Sequence, residues 1–238
     1  YIGGAEHSVL HLLYVRFVAM VLHDLKDSKL TRDPSTHSPS IAPLLRASVR
    51  SGRNVSALAL PFREPFPRFF AHGLIVNSGA KMSKSRGNIV VPDKYIEKFG
   101  ADTLRLYLMF LGNFRDGGDF RDTGLEGMSR FVKRLWRLFT QIQNSKLKTQ
   151  NLGSERLRFM HRTIKDVTED IEEFSYNTAI AKMMEWYNFL IEKLKVKNEK
   201  LTEEEKDTFL KLLAPFAPHF TEELFGKLKL GEGSIHFA

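Results

Sequence analysis

Apolar residues recur with a helical period through the second half of the chain. Four segments place apolar side chains three or four positions apart, namely 124–148, 154–174, 177–196 and 202–228. This spacing predicts four amphipathic helices. Ser154 is in position to cap the second helix, and Thr202 followed by Glu205 has the spacing of a capping box at the start of the fourth. We therefore predict an antiparallel helical bundle.

The first half contains strand patterns separated by polar and glycine-rich segments. Residues 1–4 have the pattern of a strand that ends in a glycine turn, and the apolar run 74–76 predicts a strand followed by a turn at 77–79. The glycine-rich residues 112–124 are predicted to be a linker. Residues 26–61, rich in Ser, Pro, Arg and Thr, are predicted to be an insertion.

Helical patterns lie between these segments. Pro92 opens a short predicted helix that closes at Gly100, and a second one follows over 101–111. A longer helix is predicted over 6–25. We expect one of its faces to be buried, because seven apolar residues recur there at helical spacing: Val9, Leu10, Leu13, Tyr14, Phe17, Val18 and Val21.

These patterns predict a predominantly helical chain of two parts, α/β followed by all-α. We place the α/β part at 1–121, including the insertion 26–61, and the helical bundle at 122–238.

Charge and composition narrow the possible partners. Among 238 residues, Lys and Arg exceed Asp and Glu by 36 to 28, and the net charge of +8 favours a polyanionic partner. The chain has no cysteine, which excludes disulfides and thiolate metal sites. No uninterrupted apolar run approaches the roughly 18 residues of a membrane span, so no membrane partner is expected. The chain begins with Tyr1 instead of Met, and we expect it to be cut from a larger protein.

The sequence GAKMSKSRGN, residues 79–88, concentrates positive charge in a loop. Lys81, Lys84 and Arg86 repel one another, so such a loop either is solvated or has an anionic partner. Lysines act as mobile point charges, and the flanking Gly79 and Gly87 would let the loop close over a phosphate chain and reopen. Spacing alone leaves both interpretations open.

His7 and His11 share one helix face, beside Glu6 and the Gly3–Gly4 turn. A zinc site of the protease type needs Glu directly after the first His, where Ser8 stands, so we predict no metal here. The wall of a binding pocket fits better. Glycines let a ligand approach the backbone, and a carboxylate can accept hydrogen bonds from ribose hydroxyls. The alternative is a plain turn with an acidic residue at a helix start.

A further basic feature lies on the first helix of the bundle. Arg130, Lys133, Arg134 and Arg137 follow the i, i+3, i+4, i+7 spacing of one helix face. Such a stripe suits the phosphate backbone of a nucleic acid. A solvated helix face is the alternative.

Several of these segments resemble one enzyme family. KMSKS at 81–85 is the signature of class I aminoacyl-tRNA synthetases. Four longer stretches resemble bacterial-type leucyl-tRNA synthetases in particular: YIGGAEHSVLHLLYVRF, AKMSKSRGNIVVPDKYIEKFGADTLRLYLMF, HRTIKDVTEDIEEFSYNTAIAKMME and LLAPFAPHFTEELF. Valyl and isoleucyl relatives share the basic loop but lack the EHxxLHLLYxRF helix. Residues 26–61 are the part without a match.

The resemblance implies a fold and a reaction. The fold would be the C-terminal half of a Rossmann-type catalytic domain followed by an antiparallel helical bundle. The reaction would be ATP-dependent activation of leucine to leucyl-adenylate, followed by transfer to tRNA(Leu), with Mg²⁺ expected. A cytoplasmic monomer is implied.

The resemblance also implies residue roles. Lys81 and Lys84 would be catalytic by stabilising the phosphates of ATP, and His7 and His11 would line the leucine pocket. Contacts to ATP are implied for Gly3, Gly4, Glu6, Met82, Ser83 and Ser85. The basic stripe of Arg130, Lys133, Arg134 and Arg137 would contact tRNA.

The family's HIGH-like motif and its editing domain have no counterpart in this sequence. We therefore expect the chain alone to be inactive. Two alternatives stay open: a valyl- or isoleucyl-type synthetase, and a catalytically silent tRNA-binding module.

Overall fold

The computed structural model describes residues 1–24, 62–141, 153–197 and 200–237. The predicted insertion at 26–61 lies outside the described residues. The chain divides into two compact units, Tyr1–His72 and Gly73–Ala238, each of which is described by itself. The predicted domain boundary at 121/122 stays a prediction.

The first unit pairs two short strands beside one helix. Strand β1 (Ile2–Gly4) pairs in parallel with β2 (Phe70–His72), and Ile2 lies opposite Phe70. Helix α1 (Ala5–Asp24) follows β1 directly and contains one π-helical stretch, Ser8–Leu12.

The expectation that α1 buries an apolar face is wrong for this structure. Among its apolar residues only Leu12 and Ala19 are buried. The physical reason is the shortage of partners, since the described remainder of this unit is one short sheet and the segment leading into β2. Six large apolar side chains on α1 are more than half exposed: Val9, Leu10, Leu13, Tyr14, Phe17 and Val18.

Within the described residues, α1 is also the one helix long and apolar enough to cross a membrane by length and composition. Core helices of soluble proteins and signal sequences meet the same criterion, so this is weak evidence for a membrane.

The second unit begins with a three-stranded sheet in the order β4-β3-β5. Strand β3 (Leu74–Asn77) pairs antiparallel with β4 (Ala80–Lys81) and parallel with β5 (Gly117–Phe120). The prediction of a linker at 112–124 is therefore wrong for β5. The close approach of β5 requires glycine just before β3, because a Cβ on Gly73 would lie 2.1 Å from the backbone nitrogen of Gly117.

Two helices connect this sheet to the bundle. Helix α2 (Pro92–Phe99) starts at its proline and ends at Gly100, and α3 (Ala101–Phe110) follows at once, both as predicted. Proline at the first helical position costs no hydrogen bond, and Gly100 has a positive φ of 86°.

The bundle consists of α4 (Asp122–Gln141), α5 (Ser154–Glu172), α6 (Tyr176–Lys197), α7 (Glu203–Leu213) and α8 (Pro218–Leu228). Helices α4, α5 and α6 confirm three of the predicted segments. The fourth segment, predicted as one helix, is two helices. Pro215 and Pro218 explain the break, because a proline inside a helix removes a backbone donor and clashes with the preceding turn.

The helix starts test the predicted caps. Ser154 is not the cap of α5, since Gly153 holds that position and no side chain bonds the exposed amides. Thr202 and Glu205 do form the predicted capping box of α7. Glu205 also forms a buried ion pair with Arg156 of α5 and thereby fixes α5 to α7.

One apolar core runs through the bundle and includes α3 and β5. Its largest fully buried side chains include Phe131 and Phe139 of α4, Trp186 of α6, Phe209 of α7 and Phe225 of α8. Leu106 of α3 and Phe120 of β5 belong to the same cluster. The sheet that carries the basic loop is therefore packed on the bundle as one body.

Candidate functional site

The basic loop grows out of a tight hairpin between β3 and β4. Asn77 lies opposite Ala80, which leaves a two-residue turn of Ser78 and Gly79. Both turn residues have positive φ, 55° and 73°, as a type I′ turn requires. The turn is tied to β5, because the Gly79 N–H donates to Asp119 Oδ1 at 3.2 Å.

That hydrogen bond also affects the charge of Asp119. The Gly79 N–H is the largest influence that lowers the pKa of the Asp119 carboxyl, and Arg121 contributes in the same direction. Arg121 lies 3.2 Å from Asp119 Oδ2. The carboxylate is therefore held ionised at the base of the loop.

Asn88 closes the basic loop, a role that we did not predict from the sequence. Its Oδ1 accepts the Ser83 N–H at 2.8 Å, and its Nδ2 donates to the Lys81 carbonyl at 3.2 Å. The Asn88 carbonyl in turn accepts from Asn77 Nδ2 at 2.9 Å. One asparagine thus binds both ends of the loop. Its position beside Gly87, at the end of the basic run, was the available signal.

The cations project from the middle of the closed loop. Lys84–Arg86 form one 3-10 turn, which ends at Gly87 with φ of 66°. Lys81, Lys84, Ser85 and Arg86 are exposed, and the Ser83 and Ser85 hydroxyl oxygens are 2.9 Å apart. A glycine-terminated turn that presents cations and hydroxyls to solvent suits a polyphosphate ligand.

Met82 has a different environment from its neighbours. It is half-buried and packs against the apolar core, while the preceding Lys81 is exposed. This contact holds the loop against the core of its unit. The predicted contact of Met82 with adenine stays a prediction.

The first unit holds the other predicted ligand-binding residues. Gly3 and Gly4 are buried, and Glu6, His7 and His11 are exposed. The Tyr1 hydroxyl lies 2.7 Å from His11 Nδ1 and fixes the orientation of that ring. A Cβ on Gly3 would lie 3.0 Å from the Tyr1 ring, so glycine leaves room for this tyrosine.

His7 and His11 lie on one face, with ring centroids 6.4 Å apart. The described residues contain no group of three or more His, Cys, Asp or Glu side chains that could hold a metal ion. An apolar cavity of about 350 Å³ lies further along α1. Its lining does not include either histidine, and consists of Tyr14, Val15, Val18, Ala19, Leu22, Phe62 and Pro65.

The predicted basic stripe is present on α4. Arg130, Lys133, Arg134 and Arg137 are exposed, and the opposite face buries Phe131, Leu135, Leu138 and Phe139. This division of faces is as predicted. The tRNA contact assigned to the stripe stays a prediction.

Arg134 is held in place by the neighbouring helix. Its guanidinium carbon lies 5.7 Å from the centre of the Tyr187 ring on α6. Burial raises the pKa of the Tyr187 hydroxyl, against the opposing influence of the Arg134 and Arg137 charges. A stacked arginine loses less freedom on binding a phosphate than a free one does.

Neighbouring carboxylates in the described residues do not neutralise the stripe. Within the described residues, none of its four cations forms an ion pair with an acidic side chain. Helix α5 offers the contrast, because Arg162 lies 3.8 Å from Asp166 and Lys165 lies 3.7 Å from Glu169. Unpaired cations on one face favour an external anion.

The structure thus brings the basic loop and the stripe into the same compact unit. The residues predicted to hold adenosine and leucine belong to the other unit, Tyr1–His72.

Two family models match the chain. One is the anticodon-binding domain of tRNA ligases, over residues 155–238. The other describes class I tRNA synthetases for I, L, M and V, over residues 51–117. The second match contains the basic loop and begins within the segment predicted as an insertion.

Relatives of known name match over nearly the whole chain. A leucine–tRNA ligase of Fervidobacterium nodosum is 40% identical over 96% of this chain, and one of Thermotoga maritima is 41% identical over 96%. A leucine–tRNA ligase of Dehalococcoides mccartyi is 38% identical over 99%. The chain spans only 25%, 26% and 25% of these three relatives.

A solved structure is also similar. The ternary complex of the Agrobacterium radiobacter K84 agnB2 LeuRS with tRNA and LeuAMS matches with a TM-score of 0.74 and 31% identity. The match covers 99% of this chain and 28% of that protein. The comparisons confirm the family resemblance and the fold class predicted from the sequence.

Proposed function

We propose that this chain, a homologue of leucine–tRNA ligases, is the part of such an enzyme that carries the phosphate-binding loop and a tRNA-binding bundle. The observation that carries the proposal is the intact basic loop, closed by Asn88 and presenting exposed lysines, within a chain of this homology. A module that only bound tRNA would not need that loop.

The first step would form leucyl-adenylate. A carboxylate oxygen of leucine attacks the α-phosphorus of ATP, the bond to the β-phosphate oxygen breaks, and pyrophosphate leaves with the electron pair. Negative charge develops on the leaving pyrophosphate. Lys81 and Lys84 would stabilise it, because positive charges act most strongly where negative charge grows in the transition state.

Loop geometry supports this role. The Asn88 hydrogen bonds hold the two ends of the loop together, while Gly79 and Gly87 flank the segment that has to move. Lysines on a mobile, glycine-flanked turn can follow the phosphates as they separate. Ser83 and Ser85 would add hydroxyl contacts to the same phosphates.

The second step would transfer leucine to tRNA. A ribose hydroxyl at the 3′ end of the tRNA attacks the carbonyl carbon of the adenylate, and the bond from that carbon to the phosphate oxygen breaks. AMP leaves with the electron pair, and the hydroxyl proton is released with it. The basic stripe of α4 would hold the tRNA through its phosphates. Phosphate contacts position a nucleic acid without specifying bases.

Gly3, Gly4 and Glu6 are proposed to hold the adenosine, and His7 and His11 to line the leucine pocket. Exposed polar side chains beside the two buried glycines at the end of β1 suit such a role. Mg²⁺ would reach the site bound to the ATP phosphates, whose charge it neutralises. The described residues offer no cluster of three protein ligands for it.

The test is amino-acid-dependent exchange of pyrophosphate into ATP by a full-length enzyme containing this chain. We expect leucine to support exchange far better than valine or isoleucine. A preference for valine or isoleucine would assign the chain to one of those synthetases. Binding of tRNA without exchange by any amino acid would make it a silent binding module.

A further inference from the structure

A buried carboxylate links α3, which follows the basic loop, to the last helix of the bundle. Asp102 is 8% exposed, although it lies in the first turn of a helix. Its Oδ2 accepts the Phe220 N–H at 2.6 Å, and its Oδ1 lies 2.9 Å from His219 Nδ1. Both partners lie in the first turn of α8.

Helix α8 needs this carboxylate, because it lacks a capping side chain of its own. The residue at its N-cap is Ala217, and Pro218 has no N–H. Asp102 supplies from another helix the acceptor that Ser, Thr or Asp normally supplies locally, at the positive end of the helix dipole. One turn along α3, Arg105 Nη2 donates to the Pro215 carbonyl at 3.2 Å. The α7–α8 turn is thus held at two points.

The contact reaches the basic stripe through one packing step. The Phe220 ring lies 6.0 Å from the Trp136 ring, and Trp136 precedes Arg137 of the stripe. The Lys227 Nζ of α8 lies 4.5 Å from the centre of the same Trp136 ring. Helix α8 therefore contributes to the packing of the residue next to Arg137.

Helix α3 also reaches the basic loop in the other direction. The Tyr107 hydroxyl donates to the Arg121 carbonyl at 2.8 Å and accepts the Arg121 N–H at 2.7 Å. Arg121 pairs with Asp119, which accepts the Gly79 N–H at the base of the loop. Hydrogen bonds and one stiff helix thus connect the loop to α8.

We propose that Asp102 is a positioning residue for the tRNA-dependent step: it sets the bundle in a fixed orientation to the phosphate-binding loop, so that tRNA on the stripe presents its 3′ end to the adenylate. Asp102 itself contacts no substrate. The proposal rests on the function proposed above. Adenylate formation does not require tRNA, so it should be insensitive to this link.

A buried carboxylate could instead serve stability alone, and the chain offers a matched control for that case. Glu205 is 1% exposed, lies in the first turn of α7, and pairs with Arg156. It fixes α7 to α5, and within the described residues its side chain is hydrogen-bonded by Arg156 and Thr202. Glu205→Gln therefore weakens the bundle without cutting the link from α3 to α8.

The experiment compares Asp102→Asn and Glu205→Gln in the full-length enzyme. It measures leucine-dependent pyrophosphate exchange, the single-turnover rate of transfer from preformed adenylate to saturating tRNA, and the thermal midpoint. We expect Asp102→Asn to slow transfer roughly tenfold or more, because small displacements of reacting groups are costly, and to leave exchange unchanged. Glu205→Gln should lower the thermal midpoint and leave the ratio of transfer to exchange unchanged.

Equal effects of the two variants on that ratio, or unchanged transfer in Asp102→Asn, would overturn the proposal. If Asp102→Asn does not fold, Arg105→Gln is the second variant. Arg105 is exposed, and its replacement by Gln removes only the contact to the Pro215 carbonyl. We therefore expect the same selective loss of transfer, with a smaller decrease in rate. Failure of the wild-type enzyme to exchange pyrophosphate with leucine would contradict the proposed function and is a separate result.

Discussion

Asn88 accepts the backbone N–H of Ser83 at 2.8 Å and so closes the basic loop on itself. The loop cations repel one another, and this hydrogen bond opposes that repulsion. Closing the loop in advance reduces the freedom lost when phosphates bind.

Removing this tie should slow adenylate formation. We expect Asn88→Ala to lower its rate roughly tenfold through misplacement of the lysines. Asn88→Asp is the matched variant, because it keeps the acceptor for Ser83 and loses the donor to the Lys81 carbonyl. An intermediate rate is expected for it in pre-steady-state measurements. Equal rates in all three proteins would show that the tie has no catalytic consequence.

Lys84 should act on the transition state more than on the bound substrates. We expect Lys84→Ala in the full-length enzyme to lower the rate of adenylate formation on the order of 100-fold, because the lost charge faces the departing pyrophosphate. The dissociation constant of leucine should change little. Rapid-quench measurement of adenylate formation and equilibrium binding of leucine test the two parts. An unchanged rate would remove Lys84 from the mechanism.

The tie between the hairpin turn and Asp119 should depend on pH. The pKa of Asp119 is lowered chiefly by the Gly79 N–H, so the ionised form is favoured in the folded state. The interaction should be fully present above the ordinary aspartate pKa of roughly 4, and it should be lost as the pH falls through the lowered value.

The Gly79 amide chemical shift reports this titration directly in an NMR pH series. Arg121→Gln should move the transition to higher pH, since it removes one of the influences that lower the pKa. Asp119→Asn is the control, and its Gly79 amide should show no such transition. A transition that persists in the Asn variant would have to come from another group.

His11 should control the fit of leucine and not of ATP. We expect His11→Trp to raise the KM for leucine roughly tenfold, with little change in the KM for ATP. His11→Gln keeps hydrogen-bonding capacity toward the Tyr1 hydroxyl, 2.7 Å away, and should stay close to the wild type. Steady-state pyrophosphate exchange at varied leucine and varied ATP separates the two constants. A matching rise in both would place His11 outside the leucine pocket.

Local signals in the sequence were sufficient for part of this fold. Pro92 and Gly100 mark the two ends of α2, and Thr202 with Glu205 marks the start of α7, because these residues act on the backbone next to them. The break between α7 and α8 carried the same kind of signal in Pro215 and was missed, since the apolar spacing continues across it.

Other features depend on partners distant in sequence. Three of the four residues of β5, Gly117, Gly118 and Asp119, are unfavourable for strands, and the strand forms because Gly117 permits a close approach to β3. The contact from Asp102 to Phe220 joins positions 118 residues apart. Likewise, an apolar helical face predicts burial only if a partner is present, and α1 has few partners among the described residues of its unit.

The basic stripe on α4 should bind tRNA through phosphates. Arg134 and Arg137 are exposed on a helix whose other face is fixed in the core, so reversal of their charge should leave the fold unchanged. We expect Arg134→Glu with Arg137→Glu to weaken tRNA binding at low salt, and each lost phosphate contact to reduce the salt dependence by a slope of about 1. Pyrophosphate exchange should persist in this variant.

The matched control reverses Arg158 and Arg162 on α5, which are also exposed arginines in the same bundle. Arg162 already lies near Asp166, at 3.8 Å, so its charge is partly compensated and its loss should leave tRNA affinity unchanged. Affinity is measured over a salt series for the parent and both double variants. Because phosphate contacts carry no base information, changes in the anticodon should matter little. Identical slopes in all three proteins would make the stripe a solvated helix face, whereas equal losses in both double variants would indicate a diffuse charge effect of the bundle instead of a site on α4.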